Sequence, residues 1–290
     1  MTCNLCPRNC SAERAPDKPG GLCQMPSEAV VARGMLHQWE EPCLTGAHGA
    51  GAVFFSGCNL RCSYCQNAPI SHGGKGRKVS ADRLREIFQN LVLQGAACLD
   101  LVTPTHFTPA ILEALGETPW PVPVVWNSSG YEKPETLRRL EGKVQIYLPD
   151  FKYALSAPAA KHSAASDYFF WASQAIQEMY RQTGPYQLEN GRLKSGVLIR
   201  HMLLPGELEN TRRVLDWLSQ TFRPGEVLLS LMSQYTPQPG ASGPLARHVT
   251  KAEYRAAVRY MENCGLTDGY TQERTSAKEE YTPDFDFTGI

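Results

Sequence analysis

Ser56-Gly57-Cys58-Asn59-Leu60-Arg61-Cys62-Ser63-Tyr64-Cys65-Gln66-Asn67 sets three cysteines at C-x3-C-x2-C spacing, directly after the apolar run Ala-Val-Phe-Phe at 52–55. That run reads as a buried strand, so the cysteines fall on the loop at its C-terminal end. Three thiolates on one tight loop can hold three corners of a cubane iron–sulfur cluster. They are one short of a closed structural zinc site, which is almost always four-coordinate. A zinc loop recruiting a remote fourth ligand, such as Cys43 or a histidine, is the alternative. An iron without a protein thiolate is free to bind a small molecule.

Outward from this loop, short apolar runs alternate with helical patterns. The 80–94 segment carries Leu84, Ile87, Phe88 and Leu91 at i, i+3, i+4 and i+7, with Ser80 as N-cap and Gly95 as the stop. Further strands are expected at 98–102, 122–126, 144–148, 197–203 and 227–232. Helices are expected from Thr108-Pro109 and over 134–140, 167–181, 209–221 and 250–263, the last with a Thr250–Glu253 capping box. Six strand–helix units in alternation imply an α/β fold with a parallel sheet. The expectation is a partial (β/α)6 TIM-type barrel at 46–290, behind a small N-terminal Cys-rich extension at 1–45; a flat doubly wound sheet is the fallback. In both, chemistry belongs at the C-terminal strand ends. The joint at 46–51, Gly-Ala-His-Gly-Ala-Gly, lacks the Gly-Lys-Ser/Thr of a phosphate loop.

Composition narrows the classes. The 290 residues hold 29 Lys+Arg against 29 Asp+Glu, so nothing marks a nucleic-acid binder. No stretch reaches the ~20 apolar residues of a membrane span, and the N-terminus has no apolar core behind a basic head. A cytoplasmic protein is expected. Ten cysteines in a reducing compartment then point to metal rather than disulfides. There is no G-x-S-x-G or H-E-x-x-H to suggest a hydrolase.

With its position after the first barrel strand, the Cx3CxxC loop resembles that of the radical SAM superfamily. Asn67 and the later motifs are similar to the pyruvate formate-lyase activating enzyme branch, including its uncharacterised relatives with a Cys-rich leader. The resemblance spans essentially everything after Gly46. It implies a [4Fe-4S] cluster on Cys58, Cys62 and Cys65 whose open iron chelates S-adenosylmethionine. Reductive cleavage then yields a 5′-deoxyadenosyl radical that abstracts hydrogen from a substrate. It also implies an electron donor such as flavodoxin or ferredoxin, and a substrate that is a glycine of a partner enzyme, another protein or a small molecule. A non-catalytic zinc or iron–sulfur electron-transfer module is the alternative of another class.

The other strand ends offer candidate cofactor contacts. After the second come Thr103, Thr105 and His106, where the activating enzymes carry a Gly-Gly-Glu segment; His106 reads equally as a hydrogen-bonded loop histidine. Asn127 and Ser128 follow the third strand. Asp150-Phe151-Lys152 resembles the family's Asp-x-Lys, with a structural ion pair as the alternative. Arg200, ahead of Leu204-Pro205-Gly206, suits a carboxylate, and Gln234 follows the sixth strand. In the leader, Cys3, Cys6, Cys10 and Cys23 can close a four-thiolate site for a second iron–sulfur cluster or zinc, with Cys43 near enough in sequence to replace one of them. The C-terminal 276–290 reads as a tail or a lid. Cys98 and Cys264 read as core.

Overall fold

The computed structural model describes residues 2–272 and 283–290; the 276–282 part of the tail or lid lies outside the described residues. In the leader, β1 (Thr2–Cys3) and β2 (Ala12–Glu13) pair antiparallel. Next come β3 (Ala29–His37), a one-turn helix α1 (Pro42–Thr45) and β4 (Ala50–Phe55), which runs antiparallel to β3. The cysteine loop leaves β4. Helix α2 (Ala68–Ser71) and β5 (Arg77–Val79) then return the chain to the far edge of β3.

From here helices and strands alternate. Helix α3 (Ala81–Leu93) starts where the Ser80 hydroxyl accepts the Arg83 backbone N–H at 3.2 Å, and it buries Leu84, Ile87, Phe88 and Leu91. There follow β6 (Leu99–Val102), α4 (Thr108–Leu115), β7 (Val124–Ser128), α5 (Pro134–Arg138), β8 (Ile146–Pro149), α6 (Ser156–Ser163) and α7 (Tyr168–Thr183). The chain continues through β9 (Gln187–Glu189), β10 (Arg192–Met202), α8 (Leu208–Thr221), β11 (Leu228–Met232), α9 (Lys251–Asn263) and β12 (Gly269–Thr271). The Thr250–Glu253 capping box is formed at α9.

The strand order is β12-β11-β10-β8-β7-β6-β4-β3-β5, with β9 paired to β10. Every neighbouring pair from β4 to β12 is parallel, in sequence order with no switch point. The fold is thus mixed α/β around a mostly parallel sheet. It differs from six parallel strands in two respects: β12 adds a seventh, and β3 and β5 form an antiparallel edge. The sheet therefore begins inside the 1–45 segment, because Ala29 to Val31 and Ala32 are buried between β4 and the rest of the sheet edge. Among the described residues, no helix is long and apolar enough to cross a membrane.

Side chains alternate between the two faces of each strand. Phe55, Leu101, Trp126, Tyr147, Ile199 and Leu231 pack into the main core with the helices. On the opposite face a smaller apolar cluster gathers Ala50, Cys98, Val125, Ile146, Leu148, Leu198 and Leu228, with Cys43 and Leu44 of α1. Two residues further along the same face of their strands stand Asp100, Asn127, Asp150, Arg200 and Ser230. This polar layer underlies the site.

Candidate functional site

A cavity of about 700 Å³ opens beyond that layer, and Cys58, Cys62 and Cys65 all line it. The loop that carries them is tightly folded. Gly57 (φ 76°) and Arg61 (φ 54°) adopt left-handed backbone, and a Cβ on Gly57 would stand 2.9 Å from the Cys23 carbonyl oxygen. Asn59 Nδ2 donates to the Tyr131 carbonyl at 2.7 Å, and the Ser63 N–H donates to the His162 carbonyl at 2.8 Å.

Each sulfur has its own donor. The Leu60 N–H reaches Cys58 Sγ at 3.3 Å, Ser163 Oγ donates to Cys62 Sγ at 3.0 Å, and Ser71 Oγ lies 3.2 Å from Cys65 Sγ. Burial pushes the Cys65 thiol up to about 12 and raises Cys62, while Lys152 opposes the rise at Cys62. With burial opposing ionisation at Cys62 and Cys65, a positive core in the cavity would favour their thiolates. Three sulfurs, each with a hydrogen-bond donor, form a donor set that fits a cluster with one open corner. Among the described residues, no three His, Cys, Asp or Glu side chains converge on the point of a single metal ion.

Facing the cysteines are the strand ends. Lys152 Nζ meets Asp150 Oδ2 at 2.6 Å, and Arg200 Nε donates to Asp150 Oδ1 at 2.9 Å. Arg200 also donates to Glu40 Oε1 at 3.1 Å and Asn127 Oδ1 at 2.6 Å, and Asn127 Nδ2 donates to Glu40 at 3.2 Å and Asp100 at 3.3 Å. Burial works to raise Asp150, but Arg200 and Lys152 hold it below the usual carboxylate range. Burial, reinforced by Glu40, raises Asp100 well above that range and lifts Glu41 to about 7. Burial thus favours the protonated forms of Asp100 and Glu41 beside the cations Lys152 and Arg200.

Of the nine candidate cofactor contacts, Thr103, Asn127, Ser128, Asp150, Lys152, Arg200 and Gln234 line the cavity. Thr103 does so in left-handed backbone, φ 60°, a strained conformation for a β-branched residue. Gln234 is tied to both sides of the mouth: Gln66 Nε2 donates to its carbonyl at 3.4 Å, and Gln272 Nε2 to its Oε1 at 3.1 Å.

Thr105 and His106 are placed elsewhere. Thr105 Oγ1 donates at 2.8 Å to the buried Glu132, which also accepts from Trp126 Nε1 and Ser128 Oγ. His106 Nε2 lies 2.7 Å from the Ser56 carbonyl oxygen, and burial lowers its imidazole to about 3. Both are buried. Glu40, Glu41 and Asp100 were not anticipated. Their signal was an acid inside the apolar run at 98–102 and a Glu-Glu-Pro in the connection after β3.

In the leader, Cys3, Cys6, Cys10 and Cys23 lie close enough for their charges to act on one another. Burial first, then the other three sulfurs, pushes the Cys6 thiol up to about 12. Arg14 Nη1 donates to Cys3 Sγ at 3.4 Å. Cys43 is separated from them, buried with Leu44 and Cys98 below the polar layer.

Residues 45–147 match the family described as the 4Fe-4S single cluster domain, and they contain the whole three-cysteine loop. An uncharacterized protein of Methanocaldococcus jannaschii, MJ0674, is 26% identical over 91% of this chain and 75% of its own length. Streptococcus suis SuiB, in its crystal structure with bound S-adenosylmethionine, is similar at a TM-score of 0.49 and 10% identity; the match covers 75% of this chain and about half of SuiB, 48%. A domain of pyruvate-formate lyase-activating enzyme from Bacteroides vulgatus is similar at a TM-score of 0.37 and 11% identity, over 67% of this chain and 91% of that domain.

Proposed function

We propose that this chain, a member of the radical SAM superfamily by its three-cysteine loop and by the 4Fe-4S family that covers it, is a radical SAM oxidoreductase that holds a [4Fe-4S] cluster on Cys58, Cys62 and Cys65 and binds S-adenosylmethionine beside it. The observation that carries this reading is the shared cavity: three sulfurs, each with a hydrogen-bond donor, face cationic and polar strand ends across about 700 Å³. When bound, the reduced cluster supplies the electron that cleaves the sulfonium.

The chain's own residues bind and orient. Lys152 and Arg200 present cations to the cofactor's carboxylate, and Asp150 fixes both of them through its two oxygens. Thr103, Asn127, Ser128 and Gln234 supply donors and acceptors along the same wall. The substrate is a glycine of a partner enzyme, with another protein or a small molecule as the second reading, and a flavodoxin or ferredoxin supplies the electron. Cys3, Cys6, Cys10 and Cys23 hold a second iron–sulfur cluster or zinc in a leader at 1–45. Residues 46–290 form a partial β/α barrel, supported by seven parallel strands in sequence order, and the protein works in the cytoplasm.

The test is anaerobic reconstitution with iron and sulfide, followed by EPR of the reduced protein with and without S-adenosylmethionine and by assay for 5′-deoxyadenosine. A cofactor-induced spectral change, lost in Cys62→Ser, supports the reading. A cluster indifferent to S-adenosylmethionine, with no cleavage, overturns it.

A further inference from the structure

Arg8 stands between two leader cysteines, in Cys6-Pro7-Arg8-Asn9-Cys10, but its guanidinium reaches out of the leader. Nε donates to the Asn59 carbonyl at 2.7 Å and Nη2 to the Leu60 carbonyl at 3.3 Å, both between Cys58 and Cys62. The same group donates to the carbonyls of Ser163, at 2.8 Å, and Ala164, at 2.5 Å. These two close the C-terminal end of α6, where the last carbonyls of a helix lack partners of their own. Ala164 turns the chain there with φ 47°, and the guanidinium also lies over the Tyr131 ring, 5.1 Å from its centroid. One side chain thus pins the cluster loop and the end of α6 to each other.

The Ser163 side chain points from that pinned end to the loop. Its Oγ donates to Cys62 Sγ at 3.0 Å. The Tyr153 hydroxyl lies 2.8 Å from Ser163 Oγ and 2.8 Å from the Tyr64 hydroxyl. All three residues are buried. A thiolate only accepts, and each hydroxyl has one proton to give. With Cys62 ionised, Ser163 gives its proton to sulfur, and its contact with Tyr153 can then take a proton only from the Tyr153 hydroxyl. Each bond polarises the next, away from water. Cys58 accepts the Leu60 N–H, and Cys65 has Ser71 and the Asn67 N–H beside it, whereas Cys62 takes its hydrogen bond from a buried hydroxyl that is itself in contact with Tyr153.

Reduction of an iron–sulfur cluster adds negative charge that is partly carried by its sulfurs. A donor to a ligand sulfur stabilises the reduced form and raises the potential. We propose that Ser163, supported by Tyr153 and held in place by Arg8 of the leader, sets the reduction potential of the cluster on Cys58, Cys62 and Cys65. The inference rests on the radical SAM reading above. Ser163, Tyr153 and Arg8 are positioning residues, so the Cys-rich leader belongs mechanically to the active centre.

The experiment is an anaerobic redox titration of the reconstituted full chain, followed by EPR of the cluster that responds to S-adenosylmethionine. Ser163→Ala moves its midpoint to more negative potential with the iron content retained, and Ser163→Thr, which keeps the hydroxyl, returns it. Tyr153→Phe gives a smaller shift in the same direction. Arg8→Ala shifts it likewise, and adding Arg8→Ala to Ser163→Ala gives no further shift. A wild-type midpoint in Ser163→Ala, or a Thr variant that behaves like the Ala one, overturns the proposal. If Ser163→Ala sheds its iron, Tyr153→Phe decides, and an unshifted midpoint there overturns it. A wild-type protein without any cluster that responds to S-adenosylmethionine refutes the radical SAM reading itself, before a variant is measured.

Discussion

Glu40 and Arg200 meet at 3.1 Å, the Oε1 of the carboxylate accepting from Nη1 across 160 positions of the chain. The contact joins the connection after β3 to the C-terminal end of β10. It closes a layer in which Arg200 also holds Asp150 and Asn127.

Removing that guanidinium leaves Glu40 without its cation and Asp150 with Lys152 alone. Arg200→Ala is expected to cost about 3–5 kcal/mol, the usual result of breaking a buried pair. Arg200→Lys keeps the charge but not the three-way fork, and should lose less. Urea unfolding under anaerobic conditions, at matched iron content, measures both; a loss under about 1 kcal/mol for the alanine variant would mean the layer is loosely held.

Glu41 makes stability depend on pH with a definite sign. Its folded pKa of about 7 lies above the ordinary 4.5, because burial and Glu40 disfavour its charge. Stability tied to this group is complete below 4.5 and is lost as pH rises to about 7, at about 1.4 kcal/mol per pH unit. Glu41→Gln removes the titration. The stability of the variant relative to wild type should therefore rise across that window, and parallel lines in the two pH profiles would contradict it.

Thr103 holds left-handed backbone at φ 60°. Thr103→Gly relieves strain of about 1–2 kcal/mol, offset in part by the entropy glycine gains on unfolding. The variant is expected to be as stable as wild type or up to about 1 kcal/mol better. Thermal unfolding reads the stability, and S-adenosylmethionine titration reads whether the lost hydroxyl mattered to the cavity wall.

The C-terminal residues 283–290 lie along β3. The Gly34 N–H donates to the Thr288 carbonyl at 3.0 Å, and Phe285 packs edge-on to Phe54 with ring centroids 5.6 Å apart. A Cβ on Gly289 would stand 2.1 Å from the Gly34 carbonyl oxygen. Gly289→Ala should release this segment, at a cost of about 1–3 kcal/mol. Faster exchange of the Gly34 amide and earlier proteolytic clipping near the C-terminus would report it.

Much of the architecture was legible in local pattern. Leu84, Ile87, Phe88 and Leu91 announced α3, Thr250 with Glu253 announced the start of α9, and the strand runs fell where the parallel strands stand. Such signals lie within a few residues and need no partner. β3 escaped because its short apolar run, Ala29 to Ala32, is followed at once by Arg33 and Gly34, and its pairing with β4 and β5 makes it a strand of the sheet. β12, three residues long, depends in the same way on the register with β11.

At the site the division is similar. The spacing of Cys58, Cys62 and Cys65 and the strand-end positions of Asn127, Asp150, Lys152 and Arg200 were written in the sequence, because loop geometry and strand ends are local facts. That Thr105 and His106 turn away to Glu132 and Ser56, that Glu40 joins Arg200 and Asp100 joins Asn127, and that Arg8 clamps the cysteine loop were decided by the tertiary structure. A buried charge or hydroxyl must take its partner from whatever the strand order and close packing bring within about 3 Å, and no periodicity along the chain encodes that distance.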